Sequence, residues 1–391
     1  MLLSLSLGLR LGTPNDGSDA AARWDGAALV RLGFRSEQSE AIIDGLTNLV
    51  FHCELSPDIA VISSEPRSVL LRIQMLPVSN HLQLLREQAV FMNLSANGYG
   101  PKLLAVFAEG RIEEYIPSRA PRKDEFLREG FFYTIAGLVA KINNTVMPLP
   151  KFPQYIPLLR SWLLRCRVSG LQPMLLERTA VHGAIDCPEV LSMELLEKEI
   201  AEIEGFLSEQ ESPSVFCHND MVASNVLLRD TDQSFTNDDS VVERERLVLI
   251  DFGFAFYNYR AYEIANTMAE CGMSYDTPEY PYYSVDLDMM ENDSLFRTFC
   301  SGYLDQLYED MDSPEKMRRQ LLTGDRRRDL NMLINEGRRF LPLPHFFWAT
   351  WNIFCSQVQG LGDALEGADF LTHAKDRLIV YYHFKDNMYK Y

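Results

Sequence analysis

The chain has 391 residues, 47% of them apolar, which suits one large domain or two lobes with a sizeable core. Its formal net charge of −18 argues against nucleic acid as the main partner, because neutralising phosphates takes a basic surface. No apolar run reaches the roughly 18–20 residues of a membrane helix, so stable membrane insertion is not expected; seven scattered cysteines without a C-x-x-C pair read as reduced thiols of a cytoplasmic protein rather than zinc ligands.

The apolar start, MLLSLSLGLRLG, lacks a basic n-region and a clear cleavage site, so roughly the first 20 residues read as a leader or frayed segment. Residues 24–43 read as a helix, and 44–55 as a turn followed by alternating strand character. A second strand spans 69–74 (VLLRIQ), a helix follows over 82–98, and 102–116 reads as a hairpin closed by Pro117. Beyond it the periodicity predicts helices over 127–144, 154–167, 190–209, 257–271, 286–310, 313–337, 343–360 and 368–385. The exception is a strand pair at 225–229 and 247–251, joined by an acidic, turn-rich loop without evident chemistry. Arg326-Arg327-Arg328 reads as a solvated helix face. The fold class expected is thus α+β and bilobal: a small β-rich lobe over 1–115 and a larger helical lobe over 116–391, a layout that favours a ligand cleft between them.

The strand pair carries the chemistry. Phosphoryl transfer needs a phosphate cradle, a divalent metal, a group that orients or deprotonates the nucleophile, and a counter-charge. In kinases a catalytic aspartate precedes a metal-binding asparagine by five positions, and a second metal aspartate follows the next strand. Asp220 and Asn225 keep that spacing, and Asp251 ends the run LVLI. Amide and carboxylate oxygens suit Mg2+. Upstream, Arg72 inside a strand and Glu87 in the next helix match the kinase pairing of a phosphate-binding cation with a helix carboxylate. The turn 44–48 (DGLTN) offers backbone N–H groups around Thr47 and Asn48 to ATP phosphates. The literal Asp251-Phe252-Gly253 does not make this a protein kinase: there is no G-x-G-x-x-G, no V-A-I-K and no A-P-E, and His218-Asn219-Asp220 stands where H-R-D is expected.

Four stretches together resemble the choline/ethanolamine kinases from about residue 40 onward: 100–119 (GPKLLAVFAEGRIEEYIPSR), 217–228 (CHNDMVASNVLL), 248–266 (VLIDFGFAFYNYRAYEIAN) and 346–353 (FFWATWNI). The resemblance is closest to choline kinase. It implies a protein-kinase-like fold, ATP- and Mg2+-dependent phosphorylation of an amino-alcohol hydroxyl at the first step of phosphatidylcholine or phosphatidylethanolamine synthesis, and a homodimer. It implies Asp220 as catalytic base, Asn225 and Asp251 on metal, Arg72 on phosphate with Glu87 as partner, and Glu114 to Ile116 as the hinge that meets adenine. Glu270, Tyr275, Trp348 and Trp351 match residues that enclose the substrate ammonium, with Phe254 and His373 at two further aromatic positions. A quaternary ammonium donates no hydrogen bonds, so aromatic faces and a carboxylate suit it.

Departures from the family cluster near the substrate. Val222 stands for a usual Gln, Phe254 and His373 for usual Tyr residues, Ile142-Asn143 for Phe-His, and Asp44 for Gly. They leave an ethanolamine-selective or aminoglycoside-phosphotransferase-like kinase as one alternative, and a weakly active kinase-fold binding protein as another.

Overall fold

The computed structural model describes residues 41–42, 48–55, 66–74, 81–107, 110–230, 243–358 and 369–391. The chain divides into two compact units, Met1–Leu76 with Leu103–Tyr115, and Pro77–Lys102 with Ile116–Tyr391. Among the described residues no helix is long and apolar enough to cross a membrane.

The first unit is an antiparallel sheet of β1 (Ala41–Ile42), β2 (Asn48–Glu54), β3 (Ser68–Gln74), β4 (Leu103–Phe107) and β5 (Gly110–Glu114), ordered β1-β2-β3-β5-β4. In β3, alternation sends Val69, Leu71 and Ile73 to one face, where they form a core with Cys53, flanked by Phe51, Phe107 and Ile112. Ala41 and Ile42 pair with Phe51 and Val50 as a strand, which corrects the helix expected to run to residue 43. A ladder partner eight or more residues away outweighs the local helical pattern. The rest of that expected helix lies outside the described residues.

The second unit begins with α1 (His81–Ala96) and is mostly helical. Its next elements are β6 (Ser118–Arg119), α2 (Lys123–Phe126), α3 (Glu129–Asn143), α4 (Tyr155–Val168), the paired β7 (Met174–Leu175) and β8 (Val190–Leu191), and α5 (Met193–Ser208). Four strands follow: β9 (Ser214–Cys217), β10 (Val226–Arg229), β11 (Leu247–Leu249) and β12 (Phe256–Tyr259). Then come α6 (Arg260–Cys271), the paired β13 (Met273–Ser274) and β14 (Ser284–Val285), α7 (Leu287–Met290), α8 (Asp293–Asp310) and α9 (Pro314–Arg319). The chain closes with α10 (Arg326–Phe340), α11 (Pro342–Ser356), α12 (Phe370–Phe384) and α13 (Asn387–Lys390).

Local chemistry sets several of these boundaries. The expected helix 286–310 breaks because Asn292 caps α8 by accepting from the Leu295 amide. The expected helix 313–337 breaks at Leu321 and Gly324, both at positive φ (56° and 85°), and restarts where Asp325 accepts from the Arg327 and Arg328 amides. Residues 256–259 are strand rather than helix, because Phe-Tyr-Asn-Tyr pairs in register with β9. α3 is buried along most of its length, with Phe132, Ile135 and Ala136 wholly covered and Tyr133 exposed. Its close partner is α8. A Cβ at Gly302 would overlap the Tyr133 carbonyl, so only glycine permits that approach.

Candidate active site

Two short ladders carry the opposite halves of the site. β9 pairs with β12, Phe256 opposite Cys217, and β10 pairs with β11, Val226 opposite Leu249. The first ladder delivers His218, Asn219 and Asp220, and the second delivers Ile250 and Asp251. The Ile250 amide donates to the Asn225 carbonyl at 3.0 Å, tying the asparagine turn to the strand end before Asp251. Asn219 and Asp251 both sit at positive φ, 63° and 58°, a backbone state that Asn and Asp tolerate best among residues with a Cβ.

A polar frame on α6 and its neighbours holds the first half. Glu263 Oε2 accepts from the main-chain amides of His218 (2.6 Å) and Asn219 (3.4 Å). Asn219 Nδ2 donates to the Phe254 carbonyl at 2.9 Å, while its Oδ1 accepts from Asn258 Nδ2 at 2.9 Å. Asn143 Nδ2 donates to the Phe216 carbonyl, and its Oδ1 accepts from the Tyr303 hydroxyl. His218 bonds Ile250 O through Nε2 (2.9 Å), and burial lowers its pKa, which keeps the ring neutral. The Tyr-Asn-Tyr-Arg signature is therefore mostly framework: Asn258 braces Asn219, and buried Arg260 forms a two-pronged ion pair with Glu336. Glu263, Asn258 and Asn143 were given no role from sequence; Asn143 figured there only as a departure.

The carboxylates make the site electronegative. Asp220 is pushed up to about 8, first by burial and then by the charges of Asp251 and Glu270; the Asn225 amide and Arg377 pull it down only in part. Asn225 Nδ2 donates to the main-chain oxygen of Asp220 (2.9 Å) and to its Oδ2 (3.2 Å), which leaves the Asn225 Oδ1 as an acceptor. Among the described residues no three His, Cys, Asp or Glu side chains form a metal cage by themselves. A hard cation held by Asn225 and Asp251, its shell completed by phosphate oxygens and water, suits this donor set and would relieve the charge that raises Asp220.

Beside this centre stands an aromatic corner. Phe254, Trp348 and Trp351 have centroids 4.9–5.7 Å apart and mutual plane angles of 70°, 83° and 85°, three nearly orthogonal ring planes. The two tryptophans are one α11 turn apart and buried, and Trp348 Nε1 donates to Asn266 at 3.0 Å. Phe370 packs edge-on against Trp351. Tyr275 leaves half its surface exposed while its hydroxyl donates to Glu270 Oε2 at 2.8 Å. His373 lies edge-on to Tyr275 and Tyr283, and burial with Arg377 nearby lowers it to about 3, so its ring is neutral. Arg377, unremarked in the sequence, sits 2% exposed among these residues. Its place on α12 one turn after His373 was the available signal.

The structure thus brings Asp220, Asn225, Asp251, Phe254, Glu270, Tyr275, Trp348, Trp351 and His373 into one unit. Arg72, Asn48 and Glu114 belong to the sheet unit, whereas Glu87, half-buried on α1, and Ile116 belong to the helical one. Within the sheet, Arg72 and its cross-strand neighbour Arg111 both donate through Nε to Glu113 Oε1, at 3.1 and 2.6 Å, and all three are buried. That carboxylate, which the sequence did not single out, offsets the repulsion of two facing guanidiniums. Thr47 and Asp44 lie outside the described residues. The Arg326 guanidinium is paired with Asp305, and the roughly 560 Å³ surface hollow beside it, lined by Arg297, Arg326, Arg327, Leu330 and Asn331, contains no candidate site residue.

The aspartate and asparagine between β9 and β10 and the second aspartate after β11, on this mixed sheet-and-helix frame, define a protein-kinase-like phosphotransferase. The fold is similar to that of choline kinase from Cryptosporidium parvum, with a TM-score of 0.65 at 19% identity over 89% of this chain and 88% of that one. It is also similar to a Plasmodium vivax ethanolamine kinase, with a TM-score of 0.62 at 18% identity over 89% and 83%. A sequence profile described as choline/ethanolamine kinase matches residues 39–382. The chain is 31% identical to Choline kinase A2 of Caenorhabditis elegans, over 93% of this chain and 84% of that protein. It is 31% identical to the human Choline/ethanolamine kinase, over 88% and 79%. The chain belongs to the choline/ethanolamine kinase family, and it is a kinase acting on an alcohol group.

Proposed function

We propose that the protein transfers the terminal phosphate of ATP to the hydroxyl of choline, and that ethanolamine is the competing substrate to test. The observation that carries this reading is the juxtaposition of Asp220, held by the Asn225 amide, with an aromatic corner in a chain of this family. Asp220 orients the hydroxyl and takes its proton as a positioned general base. Asn225 and Asp251 hold Mg2+, which supplies charge neutralisation to the phosphates when bound. Arg72, Thr47 and Asn48 serve the phosphates, and Glu114 to Ile116 serve adenine. Phe254, Trp348, Trp351, Tyr275 and His373 enclose the ammonium group beside Glu270.

A labelled-phosphate assay across choline, ethanolamine and an aminoglycoside, with and without Mg2+, tests the reading. Choline turnover that vanishes without Mg2+ supports it; turnover of the aminoglycoside alone overturns it. The reading extends to a cytoplasmic homodimer at the start of phosphatidylcholine or phosphatidylethanolamine synthesis. All seven cysteines are unpaired, as a reducing compartment leaves them. Sedimentation of the purified chain tests the dimer.

A further inference from the structure

Arg377 is a buried cation in a pocket assigned to a cationic substrate, and its partners explain how both are accommodated. One Nη donates to Glu270 Oε1 and to the Tyr275 hydroxyl oxygen, both at 2.6 Å. The other Nη meets His345 Nδ1 at 3.3 Å, and Nε donates to His373 Nε2 at 3.4 Å. The remaining oxygen of Glu270 accepts from Tyr275, and Asn266 Oδ1 accepts from Trp348. The ion pair is thus neutral as a unit, and the acceptors around the aromatic corner are already engaged, Glu270 Oε1, the Tyr275 hydroxyl and the two imidazoles by the guanidinium, Glu270 Oε2 and Asn266 Oδ1 by Tyr275 and Trp348.

This rests on the reading of the protein as an amino-alcohol kinase. We infer that Arg377 is a specificity-determining residue that reserves the pocket for a quaternary ammonium alcohol and disfavours its primary amine counterpart. A primary ammonium brings three N–H donors, and burying them without acceptors forfeits affinity. The acceptors it would need are those Arg377 already occupies. A trimethylammonium has no donors to satisfy and requires only ring faces, which Phe254, Trp348, Trp351 and the half-exposed ring of Tyr275 supply. His373 reinforces the bias: its ring is neutral, and its accepting nitrogen faces Arg377. Phe254 adds a ring without adding a hydroxyl acceptor. The discrimination works by withholding partners from the wrong substrate rather than by adding contacts to the right one.

The test is steady-state kinetics of the full chain with ATP and Mg2+ on ethanolamine, its N-methyl and N,N-dimethyl derivatives, and choline. The wild type is expected to show kcat/KM rising along the series, with choline favoured over ethanolamine by about tenfold or more. Arg377→Met should shrink that ratio by about tenfold, chiefly through a lower KM for ethanolamine, because Glu270, Tyr275 and the imidazoles are released. Arg377→Lys, which keeps the charge and can reach Glu270 but gives up the imidazole bonds, should fall between the two. It decides the matter if the methionine variant does not fold, as a thermal melt reports. A merely structural Arg377 would change stability and leave the ratio alone. Folded variants with the wild-type ratio, or a wild type indifferent to methylation, overturn the inference while choline turnover stands. No turnover of any member of the series overturns the functional reading and this inference with it.

Discussion

The main-chain amide of His218 donates to the Glu263 carboxylate at 2.6 Å, so α6 fastens the loop that carries Asp220 from two residues away. Burial pushes the Glu263 carboxyl up to about 7 against the pull of the amides it accepts from. Glu263→Ala leaves buried amide donors unsatisfied. It should cost about 2–4 kcal/mol of stability in urea unfolding and lower kcat by roughly one to two orders of magnitude, with KM little changed. Glu263→Gln, which keeps an acceptor oxygen, should recover most of both. A Glu263→Ala enzyme with wild-type kcat would show that the loop holds its shape unaided.

Asp220 and Asp251 are given different tasks, and their variants should fail differently. Asp220→Ala should reduce kcat by about 10²–10⁴-fold at every Mg2+ concentration. Asp251→Asn should respond to added Mg2+, the concentration for half-maximal rate moving upward, because one anionic ligand has been neutralised. Titrating Mg2+ for both variants beside the wild type separates base from metal ligand. Superimposable titrations for all three would count against both roles.

The aromatic corner predicts a loss confined to one substrate. Trp351→Ala removes one of three ring faces, worth about 1–2 kcal/mol to a desolvated cation, so KM for choline should rise by roughly 5- to 30-fold while KM for ATP holds. Trp348→Phe keeps a ring but strands Asn266 Oδ1, so it should lower the melting temperature more than it raises KM for choline. Equal effects of Trp351→Ala on the two Michaelis constants would remove the corner from the choline site.

A pH dependence of stability follows from His345, which is wholly buried. Burial, then Arg377, His373 and His383 nearby, hold its pKa well below the ordinary value. The unfolded chain therefore binds a proton below about pH 6.5 that the folded chain refuses. Its contribution is fully present above that pH and is lost as the pH falls. Between about pH 7.5 and about pH 5.5 the loss should be about 1 kcal/mol. In a folded His345→Gln variant the difference between the two pH values should shrink by that amount. Urea unfolding at both pH values measures it, and an unchanged difference would falsify the assignment.

The parts legible in the sequence are those whose meaning is local. The five-residue step from Asp220 to Asn225 and the one-turn step from Trp348 to Trp351 are each fixed by a single turn. Arg377 was not legible, because nothing local in Lys375-Asp376-Arg377 marks these charges as buried. In the fold, Asp376 and Arg377 are 1% and 2% exposed. Asp376 accepts from the amides of Thr179 and Ala180 and from the Tyr283 hydroxyl, and Arg377 is ringed by residues from three other segments. Such partners lie up to about two hundred positions away, and no periodicity announces them. The strand 256–259 was misread for a similar reason. Its pairing with β9 is a long-range fact, whereas the helical run that begins at Arg260 is a local one.

The β10–β11 ladder has a practical use as well. Its register is fixed at the catalytic end, by Val226 opposite Leu249 and by the Ile250–Asn225 bond, with no call on whatever joins the strands at the far end. The ladder is therefore a natural anchor for protein engineering: a fluorescent label at Arg229, the end of β10 away from Asn225, should leave that register and the placing of Asn225 undisturbed.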